Sequence, residues 1–333
     1  MSTELDTYKK NRITELKNGF NSNIAVLKSN LTKNINVINR SRLSVEAKRS
    51  AITNLSAAYN NTLAALQNKL NSDIKIVQSF VPNKVTINKN KKALLIGINY
   101  IGTQNELNGC INDVLAIKDR ISSNGFNDIT LLTDNTIVKP TKNNILNAFK
   151  NLLINSSAGD LLFFIYSGHG SYTLDRNGDE TTRYDQMIIP LDSNGIIDDE
   201  LKQIIQTSLK PGVTLFGLFD SCFSGSVLDL RYQYMDSLNY DNYTENSKQL
   251  ETQGNVFMIS GCTDYQTSSD SVFNNKANGA MTWSLLESLK QKPNCSWRDL
   301  LKSMRDLLRK NSYSQIPQFS SGKFENIDTS IFI

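Results

Sequence analysis

The sequence predicts an α/β fold, a mostly parallel sheet flanked by helices, preceded by an N-terminal α-helical hairpin. Three observations predict it. Continuous apolar runs of strand length, such as Leu161–Ser167 and residues 213–219, recur beyond residue 91. Helix-period segments separate them, which is the pattern of a parallel sheet covered on both faces. The first 80 residues instead carry only a helical spacing.

In that arm Ile13, Leu16, Phe20, Ile24, Leu27, Leu31, Ile35 and Ile38 step by three or four residues. Ile52, Leu55, Tyr59, Leu63, Leu66, Leu70, Ile74 and Val77 repeat the series. Eleven residues over three turns lies close to the natural helical period, so each stripe keeps to one face. Between them Ser44 is placed as an N-cap, with Glu46 in the first turn. Two long helices folded into a hairpin over 1–80 follow. The arm holds 12 Lys and Arg against 5 Asp and Glu, leaving 24 against 27 in residues 81–333. Its charges are scattered, which favours solvated helix faces over a nucleic-acid surface. The hairpin is a candidate for self-association or partner docking.

Val81-Pro82-Asn83 stops the second helix, and 81–90 is a polar linker with room for an edge strand at 85–87. The domain from 91 to 333 reads as strands at 93–99, 129–133, Leu161–Ser167, 187–190, 213–219 and Asn255–Ser260. Helices are expected at 113–122, 141–154, 198–209, 280–290 and Trp297–Lys310. No apolar run is long enough to span a bilayer, and the polar N-terminus lacks a signal peptide's apolar segment. The four cysteines, at 110, 222, 262 and 295, follow no metal or disulfide-framework spacing, so a reducing, cytoplasmic compartment is expected.

In open α/β sheets the site lies beyond the carboxyl ends of the strands. The strand at Leu161–Ser167 runs into Gly168-His169-Gly170, and the strand at 213–219 into Asp220-Ser221-Cys222-Phe223-Ser224-Gly225. Both exits thus place a reactive side chain on a small-residue turn at one rim, and His169 is the single histidine. Only a thiolate attacks carbonyl carbon, so an imidazole that takes the thiol proton makes Cys222 competent at neutral pH. A lone histidine is commonly structural and a cysteine after a buried strand is commonly core. Their paired placement on glycine turns favours the catalytic reading.

The segments ALLIGINYIG, LNGCINDV, YSGHG, DDEL at 198–201, FDSCFSGSVLDL and SGCTDYQTSSD resemble those of metacaspases, from Lys91 to the C-terminus. The resemblance implies a caspase-like cysteine endopeptidase with His169 and Cys222 as its dyad. It implies an acidic pocket for the residue before the cut, matching Cys110, Asp113, Ser167 and Asp220. Two carboxylates converging on one cavity favour a cation, hence Arg or Lys in the protein or peptide substrate. It implies calcium stimulation, with the ion's carboxylates matching Asp185, Asp198, Asp199 and Asp229, a hard-oxygen set of the kind calcium takes.

The nearby Asp175–Glu180 stretch has its glycine too early for an EF-hand loop and reads as a surface turn. Phe223 stands where the family usually has histidine, and Gln186 where Glu is common. The polar stretch 232–252 is short, as in the type with an N-terminal extension, and separates a large-subunit-like part (91–231) from a small-subunit-like part (253–333). A zymogen is expected, with Arg231 and Lys248 as candidate self-processing sites. The alternative is a catalytically idle scaffold or binding protein acting through the hairpin.

Overall fold

A computed structural model describes residues 2–79, 90–178, 180, 183–234, 243–261, 270–273, 276–325 and 327–331. The edge strand expected at 85–87 and Cys262 lie outside these residues. The chain divides into two compact units, Met1–Pro82 and Asn83–Ile333.

In the first unit α1 (Ser2–Arg40) and α2 (Val45–Ser79) form the hairpin. Every stripe residue from Ile13 to Ile38 is half-buried, and on α2 Leu70 and Val77 are buried outright, whereas most residues between them are exposed. Ser44 Oγ accepts from the Ala47 N–H at 3.2 Å, the N-cap expected of it. Lys9 Nζ donates to the Gln78 carbonyl at 2.8 Å, so the start of α1 meets the end of α2.

The second unit runs β1 (Lys91–Gly97), α3 (Cys110–Ser123), β2 (Asp128–Thr133), α4 (Lys142–Ile154), β3 (Leu161–Ser167), β4 (Gly170–Leu174), β5 (Tyr184–Ile188), β6 (Ile196–Ile197), α5 (Asp198–Ser208) and β7 (Thr214–Asp220). It continues with β8 (Tyr232–Tyr234), β9 (Thr244–Glu245), β10 (Asn255–Ser260), β11 (Asp270–Phe273), β12 (Lys276–Gly279), α6 (Ala280–Gln291), α7 (Trp297–Lys310) and β13 (Gln318–Ser321). The main sheet has the order β2-β1-β3-β7-β10-β13-β8-β9. Its first five strands are parallel, and β13, β8 and β9 extend it antiparallel.

Alternate residues of β1, β3 and β7 feed two cores. Leu95, Phe163 and Phe216 face Trp297 of α7 and Met281 of α6. Ile96, Phe164 and Phe219 face Phe149 of α4 and Leu201 of α5. Phe149 stacks on Phe164 at 4.4 Å and Phe163 on Phe216 at 5.2 Å. Each fully buried ring contributes roughly 1.5–3 kcal/mol through area removed from water.

The strand expected at 187–190 is shifted to β5, because its pairing with β4 and β6 in a separate three-stranded sheet sets its ends. Helix α3 begins at Cys110, three residues before the expected 113. Asn99 Oδ1 accepts from the Ile111 N–H and satisfies that earlier turn. No described helix is long and apolar enough to cross a membrane.

Candidate active site

Strands β1, β3 and β7 end side by side, with Gly97 opposite Ser167 and Ser167 opposite Asp220. The residues that follow are therefore delivered to one rim by the sheet register itself. The main chain of His169 is clamped there at both of its polar groups. Its N–H donates to the Tyr100 hydroxyl at 2.9 Å. Its carbonyl accepts from the Tyr166 hydroxyl at 2.7 Å and the Ile189 N–H at 3.0 Å. Burial pushes both phenols well above their ordinary pKa, so they stay neutral hydroxyls. The Tyr100 ring lies 4.6 Å from the imidazole, and Nε2 of His169 meets the Asn105 carbonyl at 2.7 Å.

Cys222 is half-buried. Gly170, the residue after His169, lies hard against it: a Cβ there would overlap the Cys222 carbonyl oxygen and stand 3.3 Å from its nitrogen. Glycine is what lets the two turns meet. Phe223 follows with φ +52, a left-handed conformation that costs a side-chain-bearing residue about 1–2 kcal/mol. Its ring packs edge-on against Tyr172 of β4 at 5.0 Å.

Of the residues expected in the acidic pocket, Asp113, Ser167 and Asp220 are brought together by a hydrogen bond and by strand register, and Cys110 lies one turn from Asp113 on α3. Asp113 is fully buried, and its Oδ2 accepts from Ser167 Oγ at 2.8 Å. The start of α6 covers both carboxylates. The Gly279 N–H donates to Asp113 Oδ1 and Oδ2 at 2.9 and 3.1 Å. Thr282 donates its N–H and hydroxyl to Asp220 Oδ2 at 2.9 and 2.8 Å. Negative charge is favoured at this helix end. A Cβ on Gly279 would collide with the Asp220 carboxylate and stand 2.8 Å from Asp113 Oδ2, so the two acids flank one glycine. Cys110 is buried one turn earlier on α3, where its carbonyl abuts Gly97.

A second acidic group gathers near the start of α5 and the loop after Cys222. Among the described residues, Glu180, Asp198 and Asp229 offer oxygens within 4.8 Å of one another, all three buried. Burial, and then the charge of Asp229, pushes Asp198 up to about 9; Asp185 adds to the field. Asp199 turns aside, accepting from Asn177 Nδ2 at 2.7 Å. Lys202 Nζ stands 3.7 Å from Asp199 Oδ1 and 3.7 Å from Asp229 Oδ2. Gln186 joins the group to the loop after Cys222: its N–H donates to Asp198 Oδ2 at 2.7 Å, and Ser226 Oγ donates to its Oε1. The all-oxygen donor set fits a hard divalent cation such as calcium and suits no soft metal.

Glu180 corrects the surface-turn reading of 175–180. Asp175 Oδ1 accepts from the Asn177 and Gly178 N–H groups at 2.9 and 2.7 Å, and that turn carries Glu180 inward. Of the processing candidates, Arg231 is held by Glu245 at 2.6 Å and by the Gln249 carbonyl at 3.1 Å. Lys248 is exposed, with Nζ on the Gly178 carbonyl. Sequence reasoning does not reach Asn105, Gly279 or Thr282.

A parallel sheet that brings a histidine turn and a cysteine turn into contact at adjacent strand ends defines a caspase-like cysteine peptidase. The comparisons with known proteins agree. Residues 91–231 match the family described as metacaspase, peptidase C14 domain. The chain is 39% identical to metacaspase-1 of Scheffersomyces stipitis in an alignment that covers 69% of this chain and 70% of that one. It is 37% identical to metacaspase-1 of Schizosaccharomyces pombe, covering 71% and 68%. A crystal structure of a Geobacter sulfurreducens protein superposes with a TM-score of 0.56 at 25% identity, over 73% of this chain and 98% of that one. The chain belongs to the metacaspase family and is a cysteine-type peptidase.

Proposed function

We propose that the chain is an endopeptidase that cuts after Arg or Lys, with Cys222 as nucleophile and His169 as general base, stimulated by calcium and able to cut itself. The observation that carries this reading is the junction of Gly170 with the Cys222 main chain, which seats the two reactive turns together at the rim holding Asp113 and Asp220.

A carbonyl only accepts, so the Asn105 contact requires Nε2 of His169 to bear hydrogen. In the neutral ring Nδ1 then holds the lone pair. Nδ1 takes the Cys222 proton while sulfur attacks the scissile carbonyl carbon and its oxygen becomes an oxyanion. Backbone N–H groups of the small-residue turn are the donors suited to that charge. Collapse breaks the C–N bond, and the amine leaves with the proton from Nδ1. Water then gives Nδ1 a proton as it attacks the thioester, and the thiolate recovers it. General-base help of this kind is worth roughly 10²–10⁴-fold.

The buried carboxylates of Asp113 and Asp220, beside Ser167, support selection of a guanidinium or ammonium. A guanidinium or ammonium entering beside two carboxylates makes charge-assisted hydrogen bonds to them and relieves their mutual repulsion. Glu180, Asp198 and Asp229, with Asp185 nearby, would hold calcium, whose two positive charges would offset the repulsion among these acids. Gln186 and Ser226 tie that group to the segment 222–229, a direct mechanical route from ion to nucleophile. Lys248 is the better presented self-processing site, because it is exposed whereas Arg231 is half-buried against Glu245 and Gln249.

Fluorogenic peptides ending in Arg, Lys or Asp, incubated with calcium or with chelator, test the reading. Release from the Arg and Lys peptides only, greater in calcium, is expected. Absence of release from every peptide under both conditions overturns it in favour of an idle scaffold.

A further inference from the structure

Strand β4 leaves the His169 turn with Gly170, Tyr172 and Leu174 on one face, since side chains alternate along a strand. Gly170 meets Cys222, and Tyr172, two residues on, meets Phe223 at 5.0 Å. Tyr184, which is paired with Leu174 across β4 and β5, meets Tyr172 edge-on at 5.1 Å. An aromatic file thus begins at the residue next to the nucleophile and runs outward along β4. It is not core: Tyr172 is 50% exposed, Tyr184 39% and Leu174 66%. Phe223 keeps its ring in this file at the expense of a left-handed backbone, φ +52. Such strain beside a nucleophile points to a role in the site.

We propose that Phe223, Tyr172 and Tyr184 form the subsite for the residue immediately after the cut, and that it takes a large apolar side chain, Phe or Leu. The proposal rests on the peptidase reading above and adds the second half of its specificity. The side of the scissile bond follows from chemistry. The acidic pair, reached through Asp220 two residues before Cys222, holds the side chain ahead of the bond. The leaving amine must take its proton from His169, so the peptide departs over the turn from which β4 extends. Its first side chain is therefore carried onto the β4 file. Aromatic faces and edges offer apolar area there.

The test uses the full chain with calcium and four internally quenched peptides, identical except for Phe, Leu, Gly or Asp after a single Arg. A kcat/KM roughly tenfold higher for Phe and Leu than for Gly is expected, with Asp lowest, the size of effect a partly buried apolar side chain supplies. Phe223→Ser and Tyr172→Ser should each bring the Phe-to-Gly ratio within about twofold of unity, and Phe223→Leu should keep most of it. Tyr172 is exposed, so its variant reports even where Phe223→Ser fails to fold. Equal cleavage of all four peptides by the unaltered chain, or a ratio that survives Tyr172→Ser, overturns the subsite and leaves the peptidase standing. Cleavage of none of them overturns both.

Discussion

Nε2 of His169 donates to the main-chain carbonyl of Asn105 across 2.7 Å, and this one contact fixes the tautomer of the ring. In a neutral ring the lone pair would then fall on Nδ1, and the main-chain clamp holds His169 on the turn that Gly170 joins to Cys222. His169→Ala should lower kcat on an Arg peptide by roughly 10²–10⁴-fold with its melting temperature little changed. Cys222→Ala should abolish turnover and stay uncut on denaturing gels after incubation in calcium. Clipping of the Cys222→Ala protein at the rate of the unaltered chain would remove self-processing from the reading.

Gly279 governs the acidic pocket. Any Cβ there strikes the Asp220 carboxylate and crowds Asp113. Gly279→Ala should therefore cut kcat/KM on Arg and Lys peptides at least about a hundredfold and lower the melting temperature, because a buried charge pair is displaced from its donors. Asp220→Asn should lose the same preference by a different route, keeping shape and dropping charge. An Asp220→Asn protein that still favours Arg over Gln by the original ratio would contradict the pocket.

Lys202 sits between two of the acids as an internal cation, 3.7 Å from Asp199 and from Asp229. Lys202→Met should make the calcium-free protein melt earlier, since the acids lose a neutralising partner. The same change should tighten calcium binding about three- to tenfold in calorimetry, because the ion no longer competes with an ammonium. Weaker calcium binding by Lys202→Met would mean that the lysine positions ligands instead.

Asp198 gives the pH dependence its sign. Its ordinary value is 3.8, and burial together with the charge of Asp229 raises it to about 9 in the folded chain. Between those values the folded state holds a proton that the unfolded chain has released, so folding weakens as pH rises through that window. In chelator, the unaltered protein should lose stability relative to Asp198→Asn steadily from about pH 5 to pH 9. Parallel melting curves for the two proteins across that range would contradict the shift.

The sequence discloses the parts of this molecule whose cause is local. Leu161–Ser167 is a strand end to end because seven consecutive apolar or small residues leave no amphipathic alternative. The two turns that follow β3 and β7 carry their chemistry in adjacent letters. Strands β8 and β13, reading YQY and QFSS, have no such signature and exist because each pairs with a distant partner. Asn105 contributes a carbonyl that every residue type possesses, so no letter marks it. Gly279 meets Asp113 across 166 positions of sequence, a contact only the closed fold creates. Glu180 is hidden for the opposite reason: its neighbours read as a solvated turn, and the turn is real, but its last residue points inward.

The order of the main sheet bears on what a single internal cut does to the chain. A break near Lys248 gives one fragment owning β7, β8 and β9 and another owning β10 and β13. In the sheet, β10 and β13 lie between β7 and β8. The severed pieces are therefore interleaved like clasped fingers, and separating them requires tearing two hydrogen-bonded ladders at once. A nicked molecule should keep its hydrodynamic size in native buffer and fall into two polypeptides only in denaturant.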